Sequence, residues 1–216
     1  MYYGIPLILP MRYEHLIRLL DLTVAITLVL IFLPFWIIVP ILIYFESGPP
    51  IIFTHKRVGL NGKSFNLFKF RSMVPDADDI LHNKDQELLK LFKDNDWKIP
   101  NDPRITRLGK IIRSLTIDEF PQLINVLRGE MSMVGPRAYL KRELDEQSKR
   151  YPETKQYIKR ILSIKPGITG PWQTSGRNEI PFVKRAKMDA EYAENRSIWS
   201  YITIIVKTPI AMISKW

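Results

Sequence analysis

Two adjacent carboxylates, Asp118 and Glu119, are the residues of this chain best suited to do chemistry, and Arg113 precedes them closely. Locally, Thr116 and Glu119 fit a Ser/Thr-x-x-Glu capping box, with Asp118 at the positive end of the helix that such a box begins. The same carboxylates, near an arginine and on a chain with a hydrophobic segment, also fit a catalytic site. The residues alone leave both interpretations open.

The composition limits which metal such a site can bind. The chain has no cysteine, so a thiolate site is excluded, and its three histidines (His15, His55 and His82) are widely separated. Carboxylate oxygens are ligands for hard cations. The sequence therefore predicts that any metal is a hard cation.

Residues 22–45 form a long uncharged segment. The way in which this segment is placed decides where the rest of the chain, including any site, can work. Of its 24 residues, 17 are Leu, Ile, Val or Phe. As a straight helix it would be about 36 Å long, enough to cross a hydrocarbon core of about 30 Å. The sequence therefore predicts a membrane protein with one hydrophobic segment.

Two features of this segment favour a re-entrant helix over a spanning one. Pro34 lies near its middle, where proline removes a backbone hydrogen bond and kinks a helix. Basic residues flank both ends, and the positive-inside rule would keep both ends in the cytoplasm. We therefore predict a bend at Leu33-Pro34, with a kinked spanning helix as the alternative.

The charge of the chain is strongly positive, at +10, and residues 102–216 carry 21 basic and 12 acidic groups. A basic region beside a hydrophobic anchor suits membrane lipid headgroups and anionic substrates. We find no zinc finger, basic zipper or RNA-binding aromatic motif, so nucleic acid is not an expected partner.

The remaining pattern predicts an α+β fold that is mainly helical. Asn61-Gly62 between apolar runs predicts a β-hairpin over residues 51–71, and a short strand is expected near 131–134. Amphipathic helices are predicted over residues 75–94, 104–113, 117–127, 138–151, 154–163, 181–194 and 197–214. Residues 166–176 are predicted to be a glycine-rich loop. The last helix has the Trp and Lys content of an interfacial helix, with a core-packing helix as the alternative.

Several ordered motifs then resemble one family over nearly the whole chain. The motifs are KFRSM at 69–73, NDPR at 101–104, RSLTIDE at 113–119, PQLINVLRGEMSMVGPR at 121–137, KPGITGPWQ at 165–173 and SGR at 175–177. Together they resemble the bacterial sugar transferase family, the monotopic phosphoglycosyl transferases, in a minimal catalytic form.

This resemblance implies a re-entrant helix and a two-step transfer of a sugar 1-phosphate. The donor would be a UDP-sugar, the acceptor polyprenol phosphate, and UMP would be released. Asp118 would be the nucleophile, with Glu119 completing the catalytic pair and both carboxylates available to Mg²⁺. The reaction would begin the synthesis of a cell-surface glycan.

The resemblance also suggests binding residues. Arg113 and Arg137 are candidates for phosphate binding, and the loop 165–177 for the nucleotide sugar. Its candidate residues are Lys165, Gly167, Thr169, Gly170, Gln173 and Arg177. Lys165 replaces an arginine found in many relatives, which exchanges a bidentate contact for a point charge.

We therefore expect a membrane anchor at residues 1–48 and a catalytic domain at residues 49–216, on the cytoplasmic face of the inner membrane. The rival interpretation is a catalytically inactive adaptor that recruits later glycosyltransferases. The sequence leaves the sugar, the lipid length and the oligomeric state open, with a homodimer among the options.

Overall fold

Helices account for most of the regular structure, as the sequence predicts. The structure is a computed structural model, and it describes residues 11–95, 99–176 and 180–213. Its helices are α1 (Met11–Ile31), α2 (Leu33–Ser47), α3 (Ala77–Asp79), α4 (Gln86–Asp94), α5 (Arg107–Ser114), α6 (Gln122–Leu127), α7 (Lys141–Arg150), α8 (Thr154–Ile161), α9 (Phe182–Asn195) and α10 (Ile198–Ile213). Its strands are β1 (Ile52–Val58), β2 (Ser64–Phe70), β3 (Ser132–Val134) and β4 (Gly167–Thr169).

The described residues form two compact units. Residues 32–55 and 68–121 form the first, which we call the dyad unit because it contains Asp118 and Glu119. Residues 11–31, 56–67 and 122–213 form the second, which we call the sheet unit after the β3–β4 pair. The predicted division at residue 48 concerns membrane insertion, and it stays a prediction.

The hydrophobic segment breaks where the proline predicts. Helix α1 ends at Ile31, α2 begins at Leu33, and the two helices are bent by 62°. Pro34 lies in the first turn of α2, where its missing N–H would have no helical partner in any case. Among the described residues no single helix is long and apolar enough to cross a membrane, but this bent pair passes that test of length and composition together.

One face of α2 builds the core of the dyad unit. Val39 and Ile43 of α2 are buried against Phe70 of β2, Ile112 of α5 and Ile117, which immediately precedes Asp118. The other faces of α2 stay exposed, including Ile37, Ile38, Ile41, Leu42, Tyr44 and Phe45. Helix α2 therefore exposes an apolar surface on one side, and its buried side packs against the residues around the dyad.

The predicted hairpin is confirmed. Strands β1 and β2 pair, and the connection between them contains Asn61 at φ 55° and Gly62 at φ 76°. Asparagine and glycine adopt this left-handed backbone more readily than other residues.

The sheet unit contains a pairing that the sequence did not predict. Strand β4 lies inside the predicted glycine-rich loop, and it pairs in parallel with β3, with Ser132 opposite Gly167 and Val134 opposite Thr169. A Cβ on Gly167 would lie 2.0 Å from the backbone nitrogen of Gly135. The missing side chain is therefore what allows these two segments to approach.

The helix predicted over residues 117–127 is wrong as a single element. Residues Ile117–Glu119 form one 3₁₀ turn, and α6 begins only at Gln122. Pro121 separates them, since proline lacks the N–H that a continuing helix would need.

The helix predicted over residues 75–94 is likewise divided. A wide turn at Ile80–Lys84 follows α3, and Asp85 then begins α4 by accepting a hydrogen bond from the Leu88 N–H at 2.8 Å. Because the Asp85 side chain caps the start of a new helix, the predicted single helix is divided at this position.

Helix α10 has an exposed apolar stripe. Trp199, Ile202, Val206 and Ile210 follow helical spacing and are exposed, while Tyr201 is buried in the sheet unit. This arrangement matches the amphipathic pattern of the predicted interfacial helix.

Candidate active site

Asp118 is buried and lies among charged neighbours in the dyad unit. Only 6% of its surface is exposed, and its Oδ1 atom has no hydrogen-bond partner. Next to it, Glu119 Oε1 accepts a hydrogen bond from Lys69 Nζ at 2.6 Å. Arg113, in the last turn of α5, adds a second nearby positive charge. The structure thus brings Arg113, Asp118 and Glu119 together, as predicted, and adds Lys69.

The predicted capping box at Thr116 is wrong. Thr116 has φ 59° and ψ 17°, its side chain makes no capping hydrogen bond, and its Oγ1 is buried without a partner. Glu119 pairs with Lys69 instead of reaching back to Thr116. The backbone reverses at Thr116 between α5 and the turn of the dyad, which directs Ile117 into the core and places Asp118 beside it.

This reversal at Thr116 is a strained one. A β-branched residue rarely adopts the left-handed conformation, which costs about 1–3 kcal/mol. Such strain is common at functional sites, where the surrounding structure maintains it. Here the Glu119 N–H donates to the Thr116 carbonyl at 3.2 Å, and the Thr116 N–H donates to the Arg113 carbonyl at 3.0 Å.

Burial raises the pKa of Asp118 to about 6. Desolvation is the main cause, the charge of Glu119 adds to it, and the charges of Lys69 and Arg113 oppose it. A carboxylate in this environment is still ionised at neutral pH.

Phe120 connects the dyad to the helix break. Its ring centroid lies 4.8 Å from that of Phe32 and 6.2 Å from that of Phe35. Aromatic pairs at such distances are stabilising. The residue after the dyad therefore packs on the residues where the hydrophobic segment turns.

The dyad suits Mg²⁺ that is shared with a substrate. Within the described ranges, no group of three or more His, Asp or Glu side chains is placed to bind a metal ion. Mg²⁺ commonly binds one or two carboxylates together with substrate phosphates, and Asp118 and Glu119 supply that number. Oδ1 of Asp118 accepts no hydrogen bond, so this oxygen is able to bind a cation. The residues present are therefore compatible with the predicted Mg²⁺.

Arg137, the second predicted phosphate-binding residue, lies in the sheet unit. Its guanidinium lies 5.3 Å from the ring centroid of Trp172, and its Nε is buried without a partner. Its backbone N–H donates to Asp189 Oδ2 at 3.0 Å. Arg185 lies 5.3 Å from the same Trp172 ring. Asp189 and Arg185, which sequence analysis missed, thus fix the surroundings of Arg137.

The predicted nucleotide-sugar loop also belongs to the sheet unit. The Gly167 N–H donates to the Pro136 carbonyl at 2.8 Å, which brings the loop beside the Arg137 segment. A Cβ on Gly170 would lie 2.2 Å from the carbonyl oxygen of Gly135. Gly167 and Gly170 therefore already have a packing role, and their contact with a nucleotide stays a prediction.

The other loop residues differ in availability. Thr169 is buried, and its hydroxyl lies 2.8 Å from that of Thr208 in α10. Gln173 Oε1 is buried without a partner. Lys165 lines a partly open cleft, together with Arg18 and Asp21 of α1. Arg177 lies outside the described residues.

Asp21 is another buried carboxylate that sequence analysis passed over. It accepts hydrogen bonds from Ser132 Oγ, the Met133 N–H and Tyr201 Oη, each at 2.8 Å. The sequence did contain a signal for Asp21, since it lies at the edge of the uncharged segment 22–45. A charged side chain at such a position needs hydrogen-bond partners. Lys69 had a signal too, since it opens the KFRSM motif.

Comparison with known proteins decides the family. The profile described as bacterial sugar transferase matches residues 12–215. The chain belongs to this family. The resemblance inferred from the ordered motifs is thereby confirmed.

Two relatives in the family carry names that describe transfer to a lipid carrier, and a third is named for exopolysaccharide production. The chain is 40% identical over 193 residues to a UDP-galactose-lipid carrier transferase of Erwinia amylovora, covering 88% of this chain and 39% of that protein. It is 41% identical over 176 residues to an undecaprenyl-phosphate galactose phosphotransferase of Salmonella typhimurium, covering 78% and 36%. It is 36% identical over 197 residues to the exopolysaccharide production protein ExoY of Rhizobium meliloti, covering 88% and 82%.

These bacterial sugar transferases differ in length. The chain spans about two-fifths of the first two relatives and about four-fifths of ExoY. The profile match over residues 12–215 covers the dyad unit and nearly all of the sheet unit, so both belong to the region that the family shares.

Proposed function

We propose that this chain transfers a sugar 1-phosphate from a UDP-sugar to polyprenol phosphate and releases UMP. The observation that carries the proposal is the buried Asp118 carboxylate, whose Oδ1 is unpartnered beside the charges of Lys69 and Arg113. Family membership and the names of the relatives support the choice of donor and acceptor. The product would enter the synthesis of a cell-surface glycan such as an exopolysaccharide.

In the first step, an oxygen of Asp118 bonds to the β-phosphorus of the UDP-sugar. The bond from that phosphorus to the bridging oxygen breaks, and this oxygen leaves on UMP. Because Asp118 is ionised at neutral pH, the step requires no base to remove a proton. Its product is an aspartyl phosphosugar on the protein.

In the second step, a phosphate oxygen of the lipid bonds to the same phosphorus. The bond from phosphorus to Asp118 breaks, so the carboxylate is restored and the lipid diphosphate sugar is released. Arg113 opposes the negative charge around the phosphorus in both steps, and Lys69 orients Glu119 through their ion pair. Asp118 and Glu119 would hold Mg²⁺, which would supply positive charge against the negative charge of the phosphates.

The covalent step can be tested directly. Incubation with a UDP-sugar alone is expected to release one equivalent of UMP and leave a sugar-phosphate mass on a peptide that contains Asp118. Addition of polyprenol phosphate should then remove this mass. A panel of UDP-galactose, UDP-glucose and their N-acetylated forms would identify the sugar, and the absence of UMP release from any of them would favour the inactive adaptor.

The rate of adduct formation should depend on pH through Asp118. We expect a plateau above pH 7 and a fall of about tenfold per pH unit below about 6, where the carboxylate becomes protonated. The measurement is the single-turnover rate of UMP release across pH 4.5–8.5 at donor concentrations well below saturation, where the profile reports the pKa of the protein without donor.

Two variants are expected to shift this pH profile in opposite directions. Lys69→Met removes a charge that lowers the pKa of Asp118, so the acidic limb should move to higher pH. Glu119→Gln removes a charge that raises it, so the limb should move to lower pH. Shifts in the same direction for both variants would contradict the assignment of the limb to Asp118.

We also propose that the bent helix pair enters and leaves the cytoplasmic face of the inner membrane. The chain lacks cysteine, so single cysteines at the exposed positions His15 and Lys63 can be labelled without background. In intact cells, an impermeant maleimide should label neither, and opening the cytoplasmic side should expose both. Labelling of His15→Cys from outside would establish a spanning helix instead.

A further inference from the structure

We infer that Arg71 and Glu46 are positioning residues, through which the end of the membrane helix α2 fixes both cations around the dyad. The inference rests on the proposed function, because it assigns these two residues to the same site. Neither residue touches Asp118 or Glu119 directly. Their effect would be transmitted through β2 and α5.

Arg71 joins β2 to the end of α2. It is 5% exposed, and its Nη2 donates to Ser47 Oγ at 2.6 Å, to the Ser47 carbonyl at 3.0 Å and to the Gly48 carbonyl. Its backbone N–H donates to the Ile51 carbonyl at 2.9 Å. A guanidinium at a helix C-terminus satisfies carbonyl groups that have no partner in the helix.

Burying this guanidinium is unfavourable, as its lowered pKa indicates, and desolvation is the main cause. Its Nε and Nη1 atoms are buried without partners. Many other residues could end a helix on the surface at lower cost. The buried arginine is therefore best explained by a need to fix the end of α2 against β2.

Glu46 joins the same end of α2 to α5. Its Oε1 accepts a hydrogen bond from the Leu108 N–H at 2.8 Å, in the first turn of α5. Thr106 Oγ1 accepts from the Gly109 N–H at 2.9 Å in the same turn. A carboxylate at a helix N-terminus satisfies an unpaired amide and interacts favourably with the helix dipole.

The contacts of Arg71 and Glu46 are connected through β2 and α5 to the two cations of the site. Lys69 lies two residues before Arg71, so both side chains are on one face of an extended segment. Arg113 lies in the last turn of α5, about 8 Å along the helix axis from Leu108. A shift at the end of α2 would therefore displace Lys69 from Glu119 and Arg113 from Asp118 together.

The other end of α2 reinforces this arrangement. Phe32 and Phe35 pack on Phe120, which follows the dyad, and Val39 and Ile43 contact the core beneath it. The dyad is thus connected to α2 along the length of that helix. Seating of α2 in the membrane would then be coupled to the electrostatics of Asp118.

The test compares Arg71→Gln, Arg71→Lys and Glu46→Ala in detergent-solubilised full-length protein. Lys63→Gln and Glu87→Ala are the controls, since both residues are exposed and lie away from the contacts described above. Adduct formation at saturating UDP-sugar should fall roughly 10- to 100-fold in Arg71→Gln and Glu46→Ala, because misplaced catalytic groups lose rate. KM should change much less, and Arg71→Lys should recover part of the loss.

The rate constant of adduct formation and a spectroscopic distance together separate positioning from a general loss of stability. Unfolding of a fraction of molecules would lower the total yield of adduct, whereas displacement of Lys69 and Arg113 should lower the rate constant at an unchanged yield. Nitroxide labels at Tyr44 and Lys110 should give a broader distance distribution in Glu46→Ala than in the parent protein.

Unchanged rate constants and label distances in Glu46→Ala and folded Arg71→Gln would overturn the inference; if Arg71→Gln does not fold, Glu46→Ala decides. If the parent protein itself forms no adduct, the proposed function fails, and the label distances alone then test whether Glu46 positions α5 on α2.

Discussion

Replacing Asp118 with asparagine is expected to lower turnover by several orders of magnitude while leaving the protein folded. The substitution keeps the size of the side chain and removes the anion that attacks phosphorus, and loss of a covalent nucleophile has effects of this size. Steady-state UMP release and the mass of the Asp118 peptide give the measurement. Near-normal turnover in folded Asp118→Asn would contradict covalent catalysis and favour direct attack by the lipid phosphate.

The same variant should be more stable than the parent protein at neutral pH. Folding raises the pKa of Asp118 from 3.8 to about 6, so the folded state binds the proton more tightly than the unfolded state. This group's contribution to stability is therefore complete below about pH 4 and is lost as the pH rises through about 6. Above that range, removing the charge should stabilise the fold by on the order of 3 kcal/mol.

Thermal unfolding in detergent at pH 7.5 and pH 4.5 measures this difference. Asp118→Asn should raise the Tm at pH 7.5 and change it much less at pH 4.5. Asp145→Asn is the matched control, because Asp145 is exposed on α7 and should change neither turnover nor Tm. A lower Tm for Asp118→Asn at pH 7.5 would show that the carboxylate is needed for folding and would weaken its assignment as a destabilised nucleophile.

Removal of divalent cations is expected to abolish turnover, and added Mg²⁺ should restore it. The four charged groups of the site, Lys69, Arg113, Asp118 and Glu119, sum to zero, so they leave the negative charge of a diphosphate uncompensated. Attack of one anion on another then needs an additional cation. The experiment is UMP release after treatment with EDTA, followed by titration with Mg²⁺.

Binding measurements provide the control for this chelation experiment. Circular dichroism should be unchanged by EDTA, which would exclude unfolding as the cause of lost activity. UMP binding to Asp118→Asn should also be tighter with Mg²⁺ than without it. Full activity of the parent protein in excess EDTA would rule out the proposed Mg²⁺.

The sequence determined the family and the helix break by means of local signals, and a local signal also indicated Asp118 and Glu119 as the candidate dyad. Pro34 cannot donate a backbone hydrogen bond, so a break in an apolar helix near it is a local consequence. The Asn61-Gly62 turn is local in the same sense, because its residues tolerate the left-handed backbone. The motifs around Asp118 are contiguous in the chain, which is why they were recognisable without a fold.

Only the tertiary structure decided the environment of those residues. The partner of Glu119 is Lys69, fifty residues earlier in the chain, so the local capping pattern with Thr116 did not predict it. The pairing of β4 with β3 was missed for a similar reason, since a three-residue strand carries almost no periodic signal. Burial of Asp118 likewise results from packing of α2, β2 and α5 around Ile117, and burial is what raises its pKa.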